Sequence, residues 1–582
     1  MTFQALNVAN LDTVSVAEGY ESQVVIRWGD PLFRRVPEFD VDNQTPEAQA
    51  LQFGFNCDFV GFIPFPEGRG DSRNKQTTKG LLVVNHEYTT GASMFRDYVA
   101  GQPSRQQVDI ELAAHGLTVV ELEYRKQGRG RGAKGWDYKF SKYNRRLTAE
   151  SEFILTGPAA GHDLLKTSAD PTGRRVRGML NNCAAGKTPW GTVLTCEENF
   201  NQYFANNSLL ADGDPRKAIH TRYGLTQSAS ERRWETFYDR FDISKEPNEA
   251  FRFGWVIEVD PFDPDSTPRK LTALGRMKHE AATVVISKRG HAVVYTGDDE
   301  RFEYMYKFVS ERKYRDGGSS ANRGLLDSGV LYAAKFNDDG TGQWIPLIAG
   351  QGALAGWIQA EILINTRNAA TQVGATKMDR PEDIETNPAN GKLYCVMTNN
   401  TARVATGSQG IDAANPRANN RHGHIIELTE GHDDPASTTF EWDIFLLCGD
   451  PNNPGDGTYF GGFEGAVSSI SCPDNIAFDA EGNLWIATDG APGTLAKNDG
   501  VYAVPVEGSD RGRLRQFLSG PTASEICGPE FTPDNMTFFC AIQHPGEGGK
   551  VNAPTSLWPD GLTPGRPSVV AVFNSDDDVI GS

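Results

Sequence analysis

Six times along this chain, a short apolar strand has a polar or acidic end. These ends fall near residues 87, 197, 280 to 299, 382 to 399, 474 to 489, and 530 to 547. Four segments also share a polar or proline-marked entrance: His279-Glu280, Pro381-Glu382, Pro473-Asp474 and Pro529-Glu530. Each then runs strand, turn, strand. Residues 382 to 400 show the plan: an acidic mouth, a short strand, a Pro/Asn/Gly turn, and a second strand from Leu393 to Met397. Segments such as Gly500 to Pro505 supply outer strands. Repeated four-stranded antiparallel units build a β-propeller, whose ring closure hides the sheet edges. The expected fold is all-β, a six-bladed β-propeller with large insertions and a few added helices. Divided by six, 582 residues leave about 97 per unit, against roughly 40–50 in known propeller repeats, so the blades must carry insertions. A pair of packed β-sheets is the structural rival. Residues 1–582 are read as a single propeller domain, with 1–50 as an N-terminal arm and 201–250 as an insertion. Residues 107 to 124 alternate in polarity and read as paired strands.

Composition excludes several functions. The chain has 57 basic and 76 acidic residues, a net charge of -19. Such acidity argues against a nucleic-acid groove or an anionic membrane surface. No apolar run of 18 residues exists to span a bilayer. The eight cysteines are scattered without a CxxC pair, which is neither a disulfide framework nor a zinc-finger set. GxxxxGK[ST], HExxH and GxSxG are absent, which counts against an NTPase, a zincin and a typical serine hydrolase. One basic island, Arg125, Lys126, Arg129, Arg131, Lys134, Arg145 and Arg146, is either a solvated loop or a source of arginines for an anion site.

The acidic strand ends carry the chemistry. A propeller's inner strands converge on one axis, which would gather Glu87, Glu197, Glu198, Glu280, Glu382, Asp474 and Glu530. Carboxylates crowded in low dielectric take up protons unless cations neutralise them. Such a cluster is a hard-oxygen site for Ca²⁺, Mg²⁺, Mn²⁺ or iron. Cys183, beside two asparagines, reads as a loop residue, either a buried spacer or a soft ligand that would favour iron. Arg380 and Arg276 precede two of the acidic mouths. Arginine matches phosphate oxygens, and with metal ions it makes a phosphoryl-transfer clamp. The alternative for Arg380 is an ordinary ion pair with Glu382 or Asp383.

Arg27 to Leu32, Asn85-His86-Glu87, Gly157-Pro158-Ala159, Asn181 to Asn199, Lys278-His279-Glu280, Met378 to Ile384, Pro473-Asp474 and Gln543 to Glu547 occur in this order over more than 500 residues. In these stretches the chain resembles the PhoX-type alkaline phosphatases. The resemblance implies a six-bladed propeller, hydrolysis of phosphate monoesters, and a site with two iron ions bridged by oxide and three calcium ions. It places the iron-binding cysteine at Cys183 and shared carboxylates at Glu280 and Glu382. It places calcium-site acids at Glu87, Glu197, Glu198 and one or both of Asp298 and Asp299. Arg380 would grip phosphate, with Lys187 and Arg276 as further candidate contacts. The resemblance also implies a monomer acting on small phosphate esters in the periplasm or outside the cell. A twin-arginine leader, which the family uses for export, is not visible at the start of this chain. The rival functions are a calcium-dependent lactonase-like propeller hydrolase and a propeller binding module with structural calcium only.

Overall fold

The computed structural model describes residues 1–6, 10–65, 77–125, 134–226 and 228–582. Six strands form its inner ring: β1 (Cys57–Pro64), β2 (Asn182–Lys187), β3 (His279–Ile286), β4 (Pro381–Thr386), β5 (Pro473–Phe478) and β6 (Glu525–Phe531). Each packs against the next, and β6 packs against β1. Each also begins an antiparallel meander leading outward. From β4 the meander runs through Leu393–Met397 and His424–Glu430 to Thr439–Leu447. From β5 it runs through Leu484–Thr488 and Gly500–Val504 to Arg515–Ser519.

The β6 meander is completed by the other end of the chain. Tyr20–Arg27 pairs with Ser568–Asn574, so residues near the start and the end share one sheet. Ser15–Val16 adds to the edge of the neighbouring sheet. The sheets beginning at β3 and β4 join where Thr341–Pro346 pairs with Thr439–Leu447. Apolar side chains such as Val293, Met305, Ile384 and Cys395 are buried between these sheets.

Residues 201 to 250 contain the helix Pro215–Arg222 and several single 3-10 turns. Their aromatic residues, including Tyr203, Trp234 and Phe241, pack into the same core as the strand residues Val193 and Ile257. Residues 105 to 114 are a helix, not the strand expected from their alternation. Ser104 and Gln107 form a reciprocal capping box, which satisfies the first free amides and commits the segment to helix. Gly116–Arg125 is a strand, as read. Among the described residues, no helix is long and apolar enough to cross a membrane.

Candidate metal centre and active site

Every inner strand is interrupted by the same bulge, near its start in five strands and in the middle of β6. Three steps along the inner strand face two along its partner. Cys57 to Val60 lies opposite His86 to Val84, Asn182 to Ala185 opposite Glu197 to Thr195, and Pro381 to Ile384 opposite Met397 to Cys395. The same count holds from Glu280 to Thr283, Pro473 to Ile476 and Cys527 to Glu530. A bulge re-aims the side chain at the interruption. Before it, Asn56, Asn181, Arg380 and Cys472 have left-handed backbone, with φ of 41°, 53°, 56° and 51°. Asparagine adopts this region readily. Arginine and cysteine do so at a cost of roughly 1–2 kcal/mol each. Two positions further on, each strand carries a candidate metal donor: Asp58, Cys183, Glu382 and Asp474. In β3 and β6 the left-handed residue lies within the bulge, at Ala281 and Gly528, and the donors Glu280 and Glu525 precede it.

The returning strands add a second tier. Side chains alternate along a strand, so neighbours face opposite ways. At the end of Val193–Glu197, Glu197 turns inward to the fold and Glu198 faces the cavity. Asp298 and Asp299 divide in the same way. Glu87, Asp489 and His544 follow three of the four other second strands and face the cavity with them. The resulting space is about 430 Å³ and is lined by Cys183, Glu198, Glu280, Asp299, Glu382 and Asp474, among others.

Its charge is out of balance. Burial, and then the adjacent Glu382, push the Glu280 carboxyl well above its ordinary range. Burial and Asp299 do the same to Glu382 and Glu198, and burial and Asp489 to Asp474. Burial raises Asp58 to about 6. Asp58 Oδ1, Glu198 Oε1 and Glu280 Oε2 are buried without a hydrogen-bond partner. Ligand atoms of Asp58, Glu87 and Cys183 lie within 4.8 Å of one another, as do those of Asp474, Asp489 and Glu525. Carboxylates with spare lone pairs in low dielectric fit hard cations. The Cys183 thiol lies 3.5 Å from Asp58 Oδ2 and its pKa is also raised, first by burial. A thiolate there therefore needs a cation beside it.

Arg380 reaches the cavity and forks onto Asp299 at 2.8 and 2.8 Å, with Glu382 at 3.1 Å. Burial opposes its charge, but these carboxylates outweigh that penalty and hold it firmly protonated.

The structure brings Cys183, Glu280, Glu382, Glu87, Glu198, Asp299 and Arg380 together in this cavity. It places the remaining candidates elsewhere. Glu197 accepts from Lys270 Nζ at 2.7 Å and from the amides of Leu180, Gly254 and Trp255. Asp298 is bound by Arg367, with Nε to Oδ2 at 2.8 Å. Arg276 is fully buried, donates to the Phe253 and Ala250 carbonyls, and packs 4.3 Å from the Tyr223 ring. Lys187 ends β2, about 13 Å from Cys183 at a rise of ~3.3 Å per residue, and pairs with Glu530 in a different cavity.

Cys183 sits in the bulge of a strand, not in a loop. Glu530 lies at the far end of β6. Gly528-Pro529 occupies the mid-strand bulge, where proline's missing N–H is tolerated, and does not mark the strand entrance. The unit's acid at the mouth is Glu525. Within the basic island, Arg125 pairs with Asp137 and Lys134 with Asp577. Arg145 and Arg146 donate to backbone carbonyls. Lys126, Arg129 and Arg131 lie outside the described residues.

Sequence reading missed Asp58, Asp489, Glu525 and His544. The available signal for Asp58 was Asn56-Cys57-Asp58, which parallels Asn181-Asn182-Cys183 in placing an asparagine two residues ahead of the donor.

A buried cage of acids and a thiol, open to solvent beside arginine, defines a metal-binding enzyme for anionic substrates. The chain matches the family model for alkaline phosphatase PhoX over residues 1–546. Among solved structures, PhoX of Pseudomonas fluorescens in complex with vanadate, a transition state analogue, is 41% identical. That match covers 100% of this chain and 99% of the other, with a TM-score of 0.90. A Dyadobacter fermentans protein of unknown function aligns over 96% of this chain and 99% of its own, at 9% identity and a TM-score of 0.38. No curated protein sequence matches. The chain belongs to the PhoX alkaline phosphatase family, and it hydrolyses phosphate monoesters.

Proposed function

We propose that phosphate ester hydrolysis takes place in the acidic cavity, and that its cage holds an iron–calcium cluster. The observation that carries this is the convergence of carboxylates from five inner strands and from their partner strands, several with unpaired buried oxygens, around the one thiol that the sixth inner strand supplies. The six meanders then act as six propeller blades, each contributing its bulge to a common centre.

In this reading Cys183, Glu280 and Glu382 are iron ligands, because a thiolate among carboxylates favours iron over calcium. Glu87, Glu198 and Asp299 hold calcium, joined by Asp58, Asp474, Asp489 and Glu525. Asp299 is chosen over Asp298, and Glu198 over Glu197, because the chosen member of each pair lines the cavity, whereas Asp298 is engaged by Arg367 and Glu197 by Lys270 inside the fold. Metals bound there supply Lewis-acid polarisation of the phosphoryl oxygens. Arg380 neutralises charge that develops on the phosphoryl group, and its two carboxylate partners fix the guanidinium in position.

The protein works as a monomer, in the periplasm or outside the cell, as its family resemblance implies. Elemental analysis of the purified protein tests the metal assignment. About two irons and three calciums per chain are expected, with turnover of p-nitrophenyl phosphate lost to a chelator and restored by Ca²⁺. Full activity with no iron would overturn the cofactor assignment. Hydrolysis of a membrane-impermeant ester by intact cells tests the location.

A further inference from the structure

Two arginines line the acidic cavity, and they are held in different ways. Arg380 is matched by the carboxylates of Asp299 and Glu382. Arg232, from the 201–250 segment, is held by neutral groups. Nη1 donates to the Thr89 carbonyl, and Nη2 donates to Gln202 Oε1 at 2.7 Å. The guanidinium lies 5.1 Å from the Tyr88 ring centre and 5.8 Å from that of Tyr203. Its Nε is buried without a hydrogen-bond partner. Among the described residues it makes no ion pair. Tyr88 and Gln202 line the cavity with it.

Neutral partners orient a guanidinium without cancelling its charge. Of arginine's five N–H donors, Nε–H is buried and these two contacts take one each from Nη1 and Nη2, which leaves one N–H on each terminal nitrogen for a ligand. Rigid forks of this kind bind carboxylate or phosphate oxygens bidentately. With the phosphoryl group held at the cage and Arg380, the rest of the ester must lie along the cavity wall.

We propose that Arg232, backed by Tyr88 and Gln202, forms a leaving-group subsite selecting phosphate monoesters whose leaving group carries its own negative charge. Arg232 is a specificity-determining residue for the reaction. The inference rests on the acidic cavity being the catalytic site.

The test compares 3-phosphoglycerate, with a carboxylate, fructose 1,6-bisphosphate, with a second phosphate, and glycerol 2-phosphate, with a neutral leaving group. Arg232→Gln should lower kcat/KM at least tenfold on one or both anionic esters, chiefly through KM, and less than threefold on glycerol 2-phosphate. The two anionic esters show whether carboxylate or phosphate is preferred. An equal fall on all three, or no fall on any, would overturn the inference. If the variant does not fold, the wild-type enzyme supplies the readout. KM for the preferred anionic ester should rise more steeply with NaCl than KM for glycerol 2-phosphate, and parallel salt dependences would overturn it. Glu382→Gln serves as the control. Its retained activity would instead refute the site assignment, whereas an inactive Glu382→Gln with an unselective Arg232→Gln would refute the subsite alone.

Discussion

The six inner strands have two ends, and among the described residues only one of them leaves buried carboxylate oxygens without a hydrogen-bond partner. At the bulged end, Asp58, Glu198 and Glu280 each bury an oxygen with no partner. At the other end, lined by Lys187, Asp383, Glu385 and Glu530, the acids find partners within the chain. Glu530 accepts from Lys187 and from the Phe62 amide at 3.1 Å. Asp383 accepts from the Ile476 amide at 2.9 Å and the Ile384 amide at 2.8 Å. Glu385 accepts from the Thr283 hydroxyl at 3.1 Å. The same strands thus build a site that needs cations and an end that does not. Acid count alone does not separate them; lone-pair accounting does.

The largest effect should come from breaking the bulged end. Cys183→Ala and Glu382→Gln should each lose iron and lower kcat by about a hundred- to a thousandfold, the scale of removing a key electrostatic contact. The folded state should persist, because the bulge is a backbone feature. Iron content with circular dichroism checks both points, and retained iron in Cys183→Ala would show that the thiol only packs.

Removing the cations from the wild-type protein gives the next effect. Carboxyls raised by burial keep protons in the folded state that the unfolded chain has released. Their contribution to stability is present below the ordinary carboxylate range and is lost as pH rises through their folded values. Asp58 at about 6 opens that window, with the more strongly raised cage acids extending it upward. Chelated protein should therefore lose several degrees of Tm between pH 5 and pH 8, by an order-of-magnitude conversion. Calcium should flatten the slope, since ligand binding stabilises the folded state. A Tm independent of pH without metal would mean that the acids are not the source of strain.

Arg380→Ala should act less strongly. A charged hydrogen bond contributes roughly 1.5–3 kcal/mol, or about ten- to a hundredfold in kcat/KM. Inhibition by inorganic phosphate should weaken in parallel while metal content holds. Unchanged phosphate affinity would leave Arg380 as a partner of Asp299 and Glu382 only.

Much of this contrast was legible in the sequence. The strand ends at Glu87, Glu198, Asp299 and Glu382 recur with enough regularity to announce a common axis. What was not legible is which of two adjacent acids faces it. Glu197 and Glu198 are equivalent as letters, and the choice depends on strand phase and on Lys270, 73 residues away from Glu197. Asp58 was hidden because the asparagine two residues ahead of it gains meaning only once the bulge that follows is seen. Pro529 misled in the opposite direction: a proline suggests a strand entrance, yet here it occupies a bulge, and Glu525 holds the position assigned to Glu530. The helix at 105 to 114 was missed because its residues also alternate, and the capping box was the sign to weigh more heavily.

The smallest effect should come from the finished end. Lys187 is 41% exposed and its partner Glu530 is 10% exposed. Lys187→Met removes the partner of a carboxyl that burial already raises, so Glu530 can take up a proton and still accept from the Phe62 amide. The stability cost should be about 1 kcal/mol or less, in the range of partly exposed ion pairs. Because Lys187 lies at the opposite end of β2 from Cys183, kcat and phosphate inhibition should stay within about twofold of wild type. A tenfold rise in KM would place Lys187 on the substrate's path and make both ends of the ring functional. The comparison is sharpest in Lys187→Met combined with Arg380→Ala. Sites that share no partner have additive free energies, so the double variant should equal the product of the single effects.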